Sequence, residues 1–524
     1  MDNSFPSIFN DVIGPVMRGP SSSHCAAAVR IGRIVRDLMD GDIQNLLVEF
    51  DPHGSLATTH TSQGSDMGLF AGLLGWDTAD KRLLTSADAL RAAGIDVTMK
   101  ITPIHSSHPN TYRMTVSNSR ERHTLTAIST GGGIIEIIEI DGVTLSLAGD
   151  YFETLLYVGA DADPLLVHMK REIHADDILL LGSGDVRFIE VKSVMFLPAE
   201  TLFSLRSNFD LRSVKQIAPV LAVLSRRDMR VPFITCAEML DYNRDKQLDL
   251  GELAVQYECA RGGLTSDQVL EKMTAILRVM QGGVRLGLAG TVYPDRILGY
   301  QSGNFRTQMD AHRLIDGGVL NRIILDTTAL MESKSAMGLI VAAPTAGSCG
   351  GLPGACIGAA DAMGLSTADQ VRAMLAGGLI GVFIAAHATF AAEVGGCQAE
   401  CGSGSGMAAA ALATMAGGSA LQAVIAASMA LQNVLGMVCD PVANRVEVPC
   451  LGKNVLAASN ALACANMALA GYDPVIPLDE VIQAMDAVGK MLPSELRCTG
   501  YGGLSVTPTA QVIEKRLAQN QGRG

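Results

Sequence analysis

Two stretches of this 524-residue chain are almost without charge, and they limit what it can fold into. Residues 373–392, AMLAGGLIGVFIAAHATFAA, hold only His387 as a basic or acidic side chain, and residues 401–439 contain no Asp, Glu, Lys or Arg. Runs of this length and apolarity need shelter on every side, in lipid or at the centre of a large helical body. Several Gly, Ser, Thr, Gln or Asn interrupt them, no Trp or Tyr marks an interface, and no Lys/Arg bias frames them. The expectation is a set of buried helices in a soluble body with no membrane partner. Composition agrees: the chain is 48% hydrophobic but only 4% aromatic, with 55 Gly, which suits small-residue helix contacts better than an aromatic-rich sandwich.

The net charge of −13, without a basic block, excludes the clustered Lys/Arg footprint of a nucleic-acid binder. The opening MDNSFPSIFNDVIGPVMRG lacks a charged segment followed by an apolar core, so no signal peptide is expected. A cytoplasmic, reducing setting follows as an expectation. There, cysteines serve as metal ligands, nucleophiles or core rather than disulfides.

The pattern predicts an α+β protein, an N-terminal mixed α/β domain followed by a mostly α-helical domain. Over residues 1–150, LLVEF, DVTMKITPI, TYRMTVS and GIIEIIEIDGVTLSL read as strands, the last with a hairpin at Asp141-Gly142. AAAVRIGRIVRDLM and SADALRAAG read as helices. Residues 151–205 continue as a small α+β segment. From 211 to 515 helical runs dominate, separated by Gly-rich turns.

Eight of the eleven cysteines lie between 349 and 498, and none forms a CxxC pair. Each alone reads as a small buried hydrophobe. Three read differently as a group. Cys397 lies among glycines in EVGGCQAECGSGSG, where backbone can approach a ligand closely. Cys439 and Cys450 bracket GMVCDPVANRVEVPCLGKN, in which Pro441 and Pro449 hinder continued helix. Three converging thiolates suit a soft metal, and are one fewer than a fully ligated iron–sulfur cluster needs.

Three polar loops accompany them. In MRGPSSSHCAAAVRIGR, Ser21, Ser22, Ser23 and His24 lead into a helix and offer a carboxylate cradle, or else a serine cap with a solvated histidine. HSSHPNTYR places His105, His108 and Asn110 before a strand. APTAGSCGGLPG sets Thr345 and Ser348 beside Cys349, as an anion nest or a packing turn.

In this order, GPSSSH, HPNT, APTAGSCGGLPG, EVGGCQAECGSGSGMAAAA and CDPVA…VPCLGKN resemble the iron–sulfur-dependent L-serine dehydratases, over nearly the whole chain. The resemblance implies the family's β part fused to its α part, the latter an iron–sulfur catalytic domain. It implies a 4Fe-4S cluster on Cys397, Cys439 and Cys450. It also implies catalytic roles for His24, His60 and His108, and substrate contacts from Ser21, Ser22, Ser23, Asn110 and Thr345. LRCTGYGGLSVTPT, residues 496–509, is similar to the family's C-terminal Gly-Gly segment. The expected reaction converts L-serine to pyruvate and ammonia, and the expected partner is a small hydroxy amino acid or hydroxy acid in a homo-oligomeric enzyme.

The chain departs from the family pattern in several places. After Gly54-Ser55-Leu56 it reads ATTHTSQGSD, with Gln63 where many members carry histidine, His60 three residues earlier and Asp66 retained. Cys498 replaces an acidic residue. Some single-chain members end in a cysteine, where this sequence reads NQGRG. Residues 151–205 stand in the place of an amino-acid-sensing ACT domain but lack its arginine-proline-glycine turn. Three other readings stay open: the same machinery on another β-hydroxy acid such as 2-(hydroxymethyl)glutarate, a pyridoxal-phosphate lyase using Lys334, and a ligand sensor built on the β part.

Overall fold

The computed structural model describes residues 5–159 and 162–521, so the first four residues and the closing Gly522-Arg523-Gly524 lie outside the described residues. The architecture is α+β, as expected. The N-terminal sheet has six strands in the spatial order Asp96–Ile101, Asn45–Phe50, Thr111–Ser117, Arg122–Gly131, Ile134–Ile140, Val143–Leu147. Only the first pair is parallel. The Asp141-Gly142 hairpin forms with φ of 52° and 78°, the left-handed pair such a tight turn demands. Val48, Phe50, Tyr112, Met114 and Val116 pack beneath the helices Ala27–Leu38 and Ser65–Leu73. These two helices approach closely because Gly72 has no Cβ. An atom there would sit 2.2 Å from the Val29 carbonyl oxygen.

A second sheet follows in the order Leu211–Ile217, Phe152–Val158, Val186–Ser193, Asp177–Ser183, all antiparallel. With the helices Ala162–Glu172 and Ala199–Asn208 it makes a β-α-β-β-α-β unit. Alternation along the strands divides its faces. Leu156, Val158, Ile189 and Val191 meet the two helices, while Leu155, Tyr157, Phe188 and Ile217 join the core of the larger sheet. The fourth strand lies beyond the expected limit at 205. It reads as polar because Lys215 lies on it, buried and paired to Asp40 and Glu121 at 2.8 Å each.

Helices from Cys236 onward build the third layer. Thr367–His387 is long and apolar enough to cross a membrane, yet 78% of its most apolar window is buried inside the protein. Every residue of Ser403–Met415 is buried beside it. The chain's start belongs to this layer rather than to the N-terminal sheet: Ile8, Phe9, Val12 and Ile13 sit in the helical core. The two-residue strand Val16–Met17 then pairs antiparallel with Ile340–Val341. That pairing sets the Ser21–His24 loop beside the Thr345 loop, although more than three hundred residues separate them.

Candidate active site

The two thiol-bearing turns are clipped together by one glutamine. Gln398 donates its backbone N–H to the Met437 carbonyl (3.0 Å), and its side-chain oxygen accepts from Gly436 N (2.8 Å). Gly396, at φ 73°, makes the approach possible, since a Cβ there would lie 2.9 Å from the Met437 oxygen. Cys439 in turn bridges to the C-terminal segment, donating to Leu496 O (2.8 Å) and accepting from Cys498 N (3.0 Å). Asp440 pairs with Lys453 Nζ (2.8 Å) and accepts from Leu504 N (2.9 Å). Cys397, Cys439 and Cys498 thus form one buried contact group with Ala392.

Ligand atoms of Cys397, Glu400 and Cys439 all lie within 4.8 Å of one another. Cys450 lies outside that group, buried at the start of the helix Cys450–Leu469. Asn454 links it in: its Nδ2 donates to the carbonyls of Cys450 and Gly347 (2.8 Å each) and reaches Cys401 Sγ at 3.6 Å. Hydrogen bonds from the thiols of Cys401 and Cys439, with Lys453 nearby, hold the Cys397 thiol well below its usual range. Soft donors, buried and converging on turns, fit a metal group.

The serine loop and the Thr345 loop each meet these turns through one glutamate. Ser23 Oγ donates to Glu393 Oε1 (2.7 Å), and Thr345 Oγ1 donates to Glu400 Oε1 (2.6 Å). Ser22 Oγ accepts from Ala346 N (3.1 Å), which locks the first loop onto the third. His24 is fully buried, which overturns the solvated-histidine reading. Its tautomer follows from its neighbours. Thr59 Oγ1 donates to the Ser55 carbonyl (2.6 Å), so at 2.7 Å from His24 Nε2 it accepts, and Nε2 carries the proton. Nδ1 is then an acceptor for Ser21 Oγ at 3.0 Å, since Ser23 Oγ, at 3.1 Å, gives its proton to Glu393. Burial pushes the His24 imidazole down, against the pull of Glu393, so the ring is neutral. His108 shifts the same way for the same two reasons. Burial, then the neighbouring Cys397 and Glu393, push the Glu400 carboxyl up to about 8, against the Thr345 hydrogen bond.

Asn110 is wholly buried, and among the described residues neither its Oδ1 nor its Nδ2 has a hydrogen-bond partner. A buried amide left in this state is held ready for a group that the protein does not itself supply. His60 binds Asp66 through Nδ1 (2.7 Å) and stacks on Phe50, half-exposed at the edge of the site. Gln63 is buried and points its amide at Cys498 Sγ (3.5 Å).

Residues 245–505 match the family described as serine dehydratase alpha chain. The chain is 37% identical over 285 residues to a probable L-serine dehydratase alpha chain of Bacillus subtilis, covering 54% of this chain and 95% of that protein. It belongs to the serine dehydratase family. A probable beta chain from the same organism is 43% identical over 147 residues, covering 28% of this chain and 66% of its own length. The L-serine dehydratase of Streptomyces coelicolor is 27% identical over 506 residues, covering 93% of this chain and 96% of that one.

For this member of the serine dehydratase family, sequence reasoning overlooked the two glutamates that join the loops. Their signal lay in the uncharged tracts: Glu393 and Glu400 are the only Asp, Glu, Lys or Arg residues between Arg372 and Asp440. A charge kept inside so apolar a stretch is costly unless it has a task. Asn454 and Thr59 carried no such signal, because an amide or a hydroxyl within a helix is unremarkable in sequence.

Proposed function

We propose that the chain dehydrates L-serine to pyruvate and ammonia, with a 4Fe-4S cluster held by Cys397, Cys439 and Cys450. The observation that carries this reading is the meeting of the serine loop with Glu393 and of the Thr345 loop with Glu400, both on the thiol-bearing segment, within a chain of this family. Bound there, such a cluster with one iron lacking a cysteine supplies a Lewis acid for a departing hydroxyl.

The protein's own groups divide the remaining work. The free amide of Asn110 offers a donor for a carboxylate and an acceptor for an ammonium group without rearrangement, and the Ser21 hydroxyl adds a second donor once it leaves His24. His24, neutral with an open lone pair on Nδ1, accepts a proton once Ser21 turns toward substrate. Thr59 fixes that ring, so the accepting nitrogen faces the serines throughout. Glu393 and Glu400 hold Ser23 and Thr345 in place, and Glu400 is kept protonated near neutral pH by its surroundings. Burial of the whole group excludes water, which strengthens each of these contacts. His108, beside Glu393, and the His60–Asp66 pair are a second route for the proton.

Gln63 favours a second reading, the same chemistry on another β-hydroxy acid. It places a neutral amide in the site where a titratable ring is usual for the family. Anaerobically purified protein, assayed for iron, sulfide and turnover of L-serine, L-threonine, D-serine and 2-(hydroxymethyl)glutarate, decides between them. Pyruvate from L-serine is the expected result. Iron present with turnover of a different acid would replace serine and keep the chemistry.

A further inference from the structure

A cavity of about 440 Å³ lies where the three layers meet, away from the thiols. The helix Ala27–Leu38 gives it Arg30 and Arg33, and the helix Ser266–Ala289 gives it Lys272. The strand Val16–Met17 and the connection 219–222 close its apolar sides, and Asp77 is its one lining carboxylate. Arg30 is 5% exposed and donates one N–H, from Nη1, to the Gly133 carbonyl (2.5 Å). Among the described residues, its Nε and Nη2 donors have no hydrogen-bond partner, nor do the side chains of Arg33 and Lys272. Asp77 is already engaged, accepting from Thr78 N (2.6 Å) and Thr78 Oγ1 (3.1 Å). Asp11, buried behind Arg30, accepts from Ser7 N (2.7 Å).

The balance in the cavity is three cations against one occupied carboxylate. A guanidinium without a salt bridge at such depth is unfavourable in a protein interior, and burial, only partly offset by the charges of Asp11 and Asp77, depresses Arg30 to about 10. A planar guanidinium with two free edges is the preferred partner of a carboxylate or phosphate, and a neighbouring lysine supplies a point charge to the same group. The volume exceeds what a bare ion needs and falls within the range of small-molecule sites. We propose that this cavity is a second binding site, for a small organic anion carrying a carboxylate or phosphate group, held by Arg30, Arg33 and Lys272. The wall made by Pro15 and Val16 runs on through Met17 into the loop that carries Ser21 to His24, so the cavity is joined to the reactive centre along the chain without sharing residues with it.

Calorimetric titration of the full-length protein with inorganic phosphate, with malonate and with glycerol tests the proposal. At least one anion is expected to bind and glycerol is not; which anion binds separates a phosphate from a carboxylate site. Lys272→Gln and Arg33→Gln, both at the half-buried rim, are each expected to weaken that binding about tenfold or more, the scale of one charge-assisted hydrogen bond. Iron content and melting temperature of the two variants should match those of the parent protein, which separates lost binding from lost folding. Arg30→Lys, retaining charge but not the fork, should weaken binding as well. Absence of heat with both anions, or unchanged affinity in both rim variants, overturns the proposal.

Discussion

Ser23 donates a 2.7 Å hydrogen bond to Glu393, 370 positions later in the chain, and both side chains are buried. This contact makes the reactive centre a property of the interface between the N-terminal sheet layer and the helical layer. Removing the hydroxyl leaves the buried Glu393 carboxyl short of a donor. Ser23→Ala is therefore expected to cost about 1–3 kcal/mol of stability and to lower turnover by at least tenfold while iron content stays full. Chemical denaturation and an iron assay on the same preparation check this. Loss of iron in Ser23→Ala would assign the loop to holding the metal group rather than the substrate.

The thiols should separate into two classes. Cys397→Ser, Cys439→Ser and Cys450→Ser are each expected to lose the visible absorbance and the iron, because a serine oxygen is a poor ligand for a soft metal. Cys236→Ala, Cys356→Ala and Cys464→Ala, all removed from the turns, should retain both. Cys498→Ser is the informative case. Its thiol touches the Cys397–Cys439 group, but its place lies outside the expected ligand set. Full iron is expected. Iron loss there, with iron retained in Cys450→Ser, would exchange the two in the ligand set.

What could be read from the sequence had a physical basis, and so did what could not. The Asp141-Gly142 turn was legible because left-handed φ at two successive positions leaves few residue choices. The strand Arg122–Gly131 was overlooked although its burial alternates without fault. Its inward positions include His123 and Ser129, which are polar, and Ala127, too small to mark a face. The residues of the serine loop and the thiol turns were each legible, as glycines, prolines and clustered hydroxyls. Their meeting was not, since it depends on Val16–Met17 pairing with Ile340–Val341, four residues of no distinctive composition. Glu393 and Glu400 were hidden because attention fell on the uncharged runs and not on the charges between them.

Stability should depend on pH through Asp326. This residue lies on the helix Val319–Ser335, and among the described residues neither of its carboxylate oxygens has a hydrogen-bond partner. Arg322 Nε stands 3.5 Å away. Burial, against the pull of Arg322, raises the carboxyl from 3.8 to about 7 in the folded protein. A raised acid contributes its full share of stability below about pH 4 and loses it as pH climbs through 7. The loss amounts to at most about 4 kcal/mol for a shift of this size. Asp326→Asn should thus gain melting temperature over the parent at pH 8 and gain little or nothing at pH 4. An equal effect at both values would show that the carboxyl titrates normally.

Asn454 provides the most stringent test of how the site is held. Its Oδ1 accepts from Gly350 N (3.0 Å), and its Nδ2 donates to the carbonyls of Gly347 and Cys450. One buried amide therefore joins the Thr345 loop to the helix that Cys450 opens. Asn454→Ala removes the partner of one donor and two acceptors, and is expected to cost about 2–4 kcal/mol with a fall in iron retention on dialysis. Asn454→Asp keeps the shape but sets a carboxylate oxygen against two carbonyl oxygens. An ion at that depth is unfavourable, and a protonated carboxyl can satisfy only one of the two carbonyls. The isosteric change should therefore be the worse of the two, with the larger loss of iron and the lower melting temperature, and it should recover partly as pH falls. If Asn454→Asp matched the parent while Asn454→Ala did not, the amide would be filling space, and the two loops would be held together by something else.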